Sequence, residues 1–176
     1  MIRLNRLFLM VAGSVAASAI FACGDVATAP EGPEFAKGST APTFTSCQYQ
    51  PYEARSRLIG VAGGKLMVGG HVLIVPQGAL KATTLITMQS PAGTMRRVVF
   101  GPEGLTFSAD NPAHLIMSYR DCTIASGADQ KVVYVNESLS ILETTPSVSD
   151  PASLTVDSKL AHFSEYVLLS TYAVVY

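Results

Sequence analysis

The chain has 176 residues, of which 48% are hydrophobic and 14% charged, and twelve basic against thirteen acidic residues give a formal net charge of −1. This balance, without a basic stripe, disfavours nucleic acid as a partner. The part of the chain after residue 46 has about 130 residues. This is enough for one domain with its own core and indicates no second domain.

The first segment, residues 1–22, has the layout of a signal peptide. Arg3 and Arg6 form a short positive region ahead of an uncharged apolar run over 7–22. This run is shorter than the roughly 20 residues that a membrane-spanning helix needs, so a permanent transmembrane helix is the weaker interpretation. Both arginines leave with the leader, and the mature chain then carries ten basic and thirteen acidic residues, a formal charge of −3.

The end of the apolar run, Ile20-Phe21-Ala22-Cys23, resembles the lipobox of bacterial lipoproteins. The resemblance implies that Cys23 becomes the lipid-bearing N-terminus, and several acyl chains would then hold the protein on a membrane. An ordinary signal peptide with a nearby cysteine is the alternative. Gly24 and Asp25 do not match the inner-membrane retention signal of some bacteria. We therefore expect an exported protein of the cell envelope, lipid-anchored in the outer membrane.

Residues 23–46 predict a flexible tether. Three prolines lie among Ala, Gly, Thr and Ser, with almost no aliphatic pattern, and such a composition is typical of disordered chain. As a coil this segment would span roughly 25 Å, enough to hold a domain away from the lipid headgroups. Packing of Phe35 or Phe44 on the domain is the alternative.

Cys47 and Cys122 are the two cysteines that remain once Cys23 is assigned to lipid. In an oxidising compartment they predict a disulfide, which would close a loop of roughly 75 residues and stabilise the domain by about 4 kcal/mol. A metal or redox site is the alternative, but it would need closer spacing or His and Cys neighbours. The histidines, predicted to be surface or hydrogen-bonded strand residues rather than metal ligands, are His71, His114 and His162. We expect neither a metal nor a cofactor.

Beyond the tether, short segments rich in β-branched and aromatic residues alternate with Gly, Pro, Asn, Asp or Ser, which is typical of strands and turns. These predicted strands are 65–68, 71–75, 84–89, 97–100, 105–107, 114–119, 131–135, 139–143, 153–157 and 165–175. No segment has a sustained helical periodicity. The pattern therefore predicts an all-β domain over 47–176, an antiparallel β-sandwich.

Four motifs along this domain resemble, in their order, the ZU-five domain of ankyrins, zonula-occludens scaffolds and uncoordinated-five-type netrin receptors. They are Gly63-Gly64-Lys65-Leu66, Val72-Leu73-Ile74-Val75-Pro76-Gln77-Gly78-Ala79-Leu80, Phe100-Gly101-Pro102-Glu103-Gly104-Leu105-Thr106-Phe107 and His162-Phe163-Ser164-Glu165-Tyr166. The likeness runs from about residue 58 to the C-terminus. Gln77 departs from it where a second proline is common, but Pro76 fixes φ and Gly78 can take a positive φ, so a turn is still predicted. The resemblance implies a β-sandwich used for protein interaction or structural support, although a fold does not fix a function.

The segment His162-Phe163-Ser164 resembles the cleavage motif of self-processing relatives of this family. There, Ser164 Oγ would attack the Phe163 carbonyl, His162 would accept the hydroxyl proton, and water would hydrolyse the resulting ester. This chemistry needs a strained peptide. The alternative is an uncut, well-packed start of the last strand, in which His162, Ser164 and Tyr166 face one side and Phe163 the other.

The sequence thus predicts a membrane-anchored lipoprotein that displays a non-catalytic interaction or structural module, with an envelope protein or polysaccharide as its partner. One-time autoproteolysis between Phe163 and Ser164 is the alternative. No acid–base pair, activated nucleophile or metal set lies close together in sequence, so neither a turnover enzyme nor a small-molecule substrate is expected.

Overall fold

The computed structural model describes residues 43–172. The predicted leader 1–22, Cys23 and most of the predicted tether 23–46 lie outside these residues. The strands are β1 Thr43–Phe44, β2 Ser46–Gln50, β3 Glu53–Ile59, β4 Gly64–Val68, β5 His71–Val75, β6 Thr84–Ser90, β7 Gly93–Met95, β8 Arg97–Gly101, β9 Ala113–Ser118, β10 Ala128–Val135, β11 Ile141–Thr144, β12 Ser147–Asp150, β13 Thr155–Leu160 and β14 Glu165–Tyr172. None of the described residues belongs to a helix that could cross a membrane.

Two antiparallel sheets pack face to face, which confirms the predicted all-β sandwich. The larger sheet has the order β11-β10-β14-β8-β6-β3, and β1 also pairs with β14. The smaller sheet has the order β12-β13-β9-β5-β4, and β2 pairs with β7 in a separate two-stranded ribbon.

The main core lies between the two sheets, because alternate residues of each strand point inward. In β5, His71, Leu73 and Val75 are buried, while the residues between them are only partly so. Ile86 of the larger sheet and Leu115 of the smaller sheet are fully buried in the same apolar cluster. The sandwich is therefore held together by one continuous core.

A smaller apolar cluster on the outer face of the larger sheet corrects the predicted tether. Phe44 packs against this cluster, and Thr43 pairs with Ser170 of β14. Thr45 is 2% exposed, and its hydroxyl donates to Gln130 Oε1 at 2.8 Å. The prediction that the tether reaches residue 46 was wrong, because residues 43–46 find apolar and hydrogen-bonding partners on the sheet. The alternative weighed for Phe44 is the correct one. The four buried members of the cluster are Val133, Val135, Val167 and Leu169.

Two glycines fix the turns on either side of β4 and β5. The Gly63 N–H donates to Gly60 O at 2.9 Å and closes the turn between β3 and β4. Gly63 has a φ of 73°, and a Cβ there would overlap Val75 O, so no other residue fits. Gly78 has a φ of 80°, which confirms the positive φ predicted after Pro76.

Three predicted strands are absent or begin later in the structure, for local reasons. The segment 105–107 forms only a single bridge, between Thr106 and His162, and is not a strand. The segments predicted at 139–143 and 153–157 begin later, at Ile141 and Thr155. Leu139 and Leu154 adopt positive φ in the preceding turns, and this conformation cannot extend a strand.

Candidate functional site

Cys47 and Cys122 form a disulfide, as predicted. The bond joins β2 to the segment after β9, and backbone hydrogen bonds continue on both sides of it. The Gln48 N–H donates to Asp121 O at 2.7 Å, and the Thr123 N–H donates to Ser46 O at 2.9 Å. The disulfide therefore fixes β2 against residues 121–123.

Phe163, the central residue of the predicted cleavage motif, lies in the main core. Its side chain is 0% exposed and stacks on Phe100, with ring centroids 4.7 Å apart. Phe107 meets the same ring edge-on at 5.1 Å. These three rings, which we call the Phe163 corner, come from three separate segments of the chain and pack together in the main core.

Every carbonyl from Ala161 to Ser164 accepts a hydrogen bond. The Phe107 N–H donates to Ala161 O at 2.8 Å, and the Tyr166 hydroxyl donates to His162 O at 2.6 Å. The Gly104 N–H donates to Phe163 O at 3.0 Å, and the Phe100 N–H donates to Ser164 O at 3.0 Å. The chain bends at Ser164. The predicted alternation of faces is therefore wrong: Phe163 and Tyr166 both pack into the main core.

The two side chains predicted to carry self-cleavage line different clefts. His162 and Glu143 line one cleft of about 220 Å³, while Ser164 and Glu103 line another of the same volume. Within residues 43–172 no hydrogen bond joins the His162 ring to the Ser164 hydroxyl. The His162 ring instead meets the Tyr134 ring edge-on, with centroids 5.0 Å apart. His162 and Ser164 are thus close in sequence, but the structure does not bring their side chains into a nucleophile–base contact.

His71 and His114 lie in strands β5 and β9, in different environments. His71 is fully buried, while His114 is partly exposed, with its Nδ1 3.0 Å from Asp157 Oδ1. In the described part of the chain no group of three or more His, Cys, Asp or Glu side chains has the arrangement of a metal site.

Arg96 is a buried charged residue that the sequence pattern does not indicate. It lies between β7 and β8, is 5% exposed, and donates from Nη1 to Gln48 O at 3.1 Å. Burial lowers the pKa of Arg96, and the negative charge of Asp121 partly offsets that effect. A guanidinium nevertheless stays protonated in proteins, so Arg96 is a buried cation.

The surroundings of Arg96 form a cleft of about 490 Å³, which we call the Arg96 cleft. Residues of β2 and its continuation line it together with residues of the segment after β9, which the disulfide joins to β2. The side chains that line it include Gln48, Tyr49, Gln50, Glu53, Arg96, Ser118, Arg120 and Asp121. The cleft thus combines two guanidinium groups and two carboxylates with amide, hydroxyl and aromatic groups.

His71 lies beside this cleft and is neutral at physiological pH. Its Nδ1 accepts a hydrogen bond from the Ser118 N–H at 3.1 Å, and its buried Nε2 has no partner among the described residues. Burial, and then the positive charge of Arg96, lower the pKa of His71 to about 4. An acceptor at Nδ1 in a neutral ring places the proton on Nε2.

Comparison with known proteins leaves the chemistry of these residues as the basis for function. No family model matches the chain, and no curated protein matches it.

The burial of Arg96 follows only from the pairing of strands that are distant in sequence. Ser46 pairs with Met95, and this pairing brings β2 next to Arg96, the residue directly after β7.

Proposed function

We propose that this chain is an exported lipoprotein, anchored through Cys23, whose ZU-five-like sandwich serves as a non-catalytic interaction or structural module of the cell envelope. The observation that carries the proposal is the disulfide between Cys47 and Cys122. Disulfides form and persist in oxidising compartments and are rare in the cytosol. The bond therefore agrees with the export that the N-terminal sequence predicts.

Support for an interaction module comes from the surface of the sandwich. Leu58 of β3 and Leu85 of β6 are paired across the larger sheet and are 66% and 56% exposed. The strand that carries Leu58 is an edge strand, and five of its seven residues are exposed. Exposed apolar side chains and an open strand edge are features that protein partners use.

The experiment that tests the proposal is the intact mass of the protein purified from membranes, measured under denaturing conditions before and after reduction. We expect one species that begins at a diacylglyceryl Cys23 and gains two hydrogens on reduction. A chain that still carries residues 1–22 without lipid would contradict the proposal.

Two cysteine variants separate the anchor from the fold. Cys23→Ser should move the protein from the membrane fraction to the soluble fraction, because the lipid attachment site is lost. Cys47→Ser, the matched control, should stay in the membrane fraction and lose only the disulfide. Retention of Cys23→Ser on membranes that resist a high-salt wash would count against a lipid anchor.

Self-cleavage between Phe163 and Ser164 is the second candidate. The observation that favours it is the Gly104 N–H, which lies 3.0 Å from Phe163 O and could stabilise negative charge on that oxygen during attack. For catalysis the His162 ring would have to leave Tyr134 and approach the Ser164 hydroxyl. The attack would form the Phe163–Ser164 Oγ ester and free the Ser164 amine, after which water would cleave the ester.

The same mass measurement decides between the two candidates. Fragments that meet between Phe163 and Ser164, and that are lost in Ser164→Ala, would establish self-cleavage. An intact chain after prolonged incubation at neutral pH would refute it. Ser140→Ala, a change of another serine that lies outside the motif, is the matched control and should leave the result unchanged.

A further inference from the structure

The Arg96 guanidinium makes no ion pair with any described residue, although two carboxylates line the same cleft. Glu53 already binds Arg55 and the Gly69 N–H, and Asp121 acts on Arg96 only from a greater distance. Among residues 43–172, neither Arg96 nor Arg120 lies within 4.0 Å of a carboxylate oxygen. A buried charge is costly unless it is paired and hydrogen-bonded. Arg96 therefore retains capacity for an anion, whereas Arg97, the next residue, already pairs with Glu165.

The unused donors of Arg96 are open to the Arg96 cleft. The guanidinium has five N–H groups, and the described residues provide a partner only for Nη1, which donates to Gln48 O. Nε and Nη2 each keep some exposure to solvent. Since Arg96 lines the cleft, a ligand there can accept from N–H groups that have no partner among the described residues.

The remaining groups of the cleft suit a ligand with hydroxyl groups. Gln48 and Ser118 supply amide and hydroxyl groups, which can both donate and accept. Tyr49, 70% exposed, offers an aromatic face at the rim, against which the C–H face of a sugar ring can pack. A volume of about 490 Å³ lies within the range of small-ligand sites.

We propose that the Arg96 cleft binds a carboxylated sugar, such as a uronic acid unit of an acidic polysaccharide, with the carboxylate on Arg96 and the ring against Tyr49. Arg120 adds a second positive charge at the mouth of the cleft. The inference rests on the proposed function as an interaction module and names the ligand class of that module. It does not depend on the lipid anchor.

The disulfide has a specific place in this site. It joins β2, which carries Gln48 and Tyr49, to the segment that carries Arg120. The two segments that contribute these lining residues are therefore held together by a covalent bond. A preformed site of this kind avoids the entropic cost of ordering its walls when the sugar binds.

Isothermal titration calorimetry of the purified mature protein with digalacturonate tests the inference. We expect saturable binding that weakens as salt increases and that is lost with the methyl ester of the same disaccharide, which keeps the hydroxyl groups and removes the charge. Absence of saturable binding would overturn the proposal. Equal binding of the methyl ester, or tighter binding of a short Glu-rich peptide, would overturn it as well.

Arginine variants locate the site. Arg96→Gln should weaken binding by roughly tenfold or more, and Arg96→Lys by a smaller factor, because lysine keeps the charge but loses the planar fork. Arg57→Gln is the matched control: Arg57 is exposed on β3, outside the cleft, and should bind like the unmodified protein. Unchanged binding in Arg96→Gln would refute the assignment.

A second variant keeps the test valid if the loss of buried Arg96 disturbs folding. Arg120 is exposed, so Arg120→Gln should fold normally and weaken binding by roughly two- to fivefold. Its failure to do so would also count against the site. Failure of this inference is distinguishable from failure of the proposed lipoprotein function. The lipoprotein is tested by the mass of the N-terminus, whereas the ligand site is tested by binding to the folded domain.

Discussion

The Phe163 corner and the surroundings of Arg96 are both buried, but they differ in what they leave unpaired. Around Phe163 three aromatic rings pack together, and each carbonyl from Ala161 to Ser164 accepts a hydrogen bond. Around Arg96 no carboxylate oxygen of the described residues lies within 4.0 Å of the guanidinium, and His71 Nε2 has no partner among the same residues. Satisfied polar groups and close aromatic packing stabilise a fold, whereas an unpaired charge beside an open cleft indicates a binding site. The motif that stands out in the sequence is thus the better packed of the two regions.

Phe163→Ala should give the largest effect, because it leaves a cavity beneath Phe100 and Phe107. We expect the free energy of unfolding to fall by about 3–5 kcal/mol, measured by urea denaturation of Phe163→Ala and of Phe163→Leu. The leucine variant should lose less, since it fills part of the space. A loss below about 1 kcal/mol for Phe163→Ala would show that the corner is not tightly packed.

Removal of the disulfide should come next. The double variant Cys47→Ser/Cys122→Ser should lose about 4 kcal/mol of stability. It should also weaken digalacturonate binding at temperatures where the domain remains folded, because the walls of the Arg96 cleft are no longer joined. Calorimetry and urea denaturation of the same preparation check both effects. Loss of stability with unchanged binding would show that the disulfide does not shape the cleft.

The pH dependence of stability tests the state of His71. Its pKa is about 4 in the folded chain and about 6.5 in an unfolded chain, so the unfolded chain binds more protons between these values. The contribution of neutral His71 to the free energy of unfolding is present above pH 6.5 and is lost as pH falls towards 4, by about 2–3 kcal/mol. His71→Asn keeps an acceptor for the Ser118 N–H and removes the titration. A variant whose stability falls as steeply as that of the unmodified protein over this range would contradict the assignment.

Tyr166→Phe should give the smallest effect. The substitution removes the hydroxyl that donates to His162 O at 2.6 Å and keeps the ring in the core. We expect a loss of about 1 kcal/mol in the free energy of unfolding. Tyr134→Phe is a comparison at a neighbouring ring that makes no described hydrogen bond to His162, and it should lose less. Equal losses would mean that the Tyr166 hydroxyl has no particular stabilising role.

The strands that the sequence predicts best are those in which burial alternates simply along the chain. β5 was predicted with its correct bounds, because its residues alternate between buried and partly buried positions among β-branched and aliphatic side chains. β3 was missed, since it is an edge strand whose Arg55, Ser56 and Arg57 are exposed in succession. Position at the edge of a sheet depends on partners that are distant in sequence, and no local pattern records it.

The candidate site was predicted only in part for the same reason. The pairing of Cys47 with Cys122 can be inferred from cysteine count and compartment, and it is confirmed. Arg96 stands directly before Arg97, and two adjacent arginines are typical of a solvated surface. Only the pairing of β2 with β7 buries the first of them, and this contact joins residues that are distant in sequence.

The pairing of β1 with β14 determines how mechanical tension enters the domain. A pull on the chain that precedes Thr43 loads first the pairs Thr43–Ser170 and Phe44–Leu169, which are hydrogen-bonded and few. Once these separate, the force reaches Cys47 and passes through the covalent bond to Cys122. While that bond holds, the force bypasses the residues between Cys47 and Cys122, and this part of the sandwich is not extended.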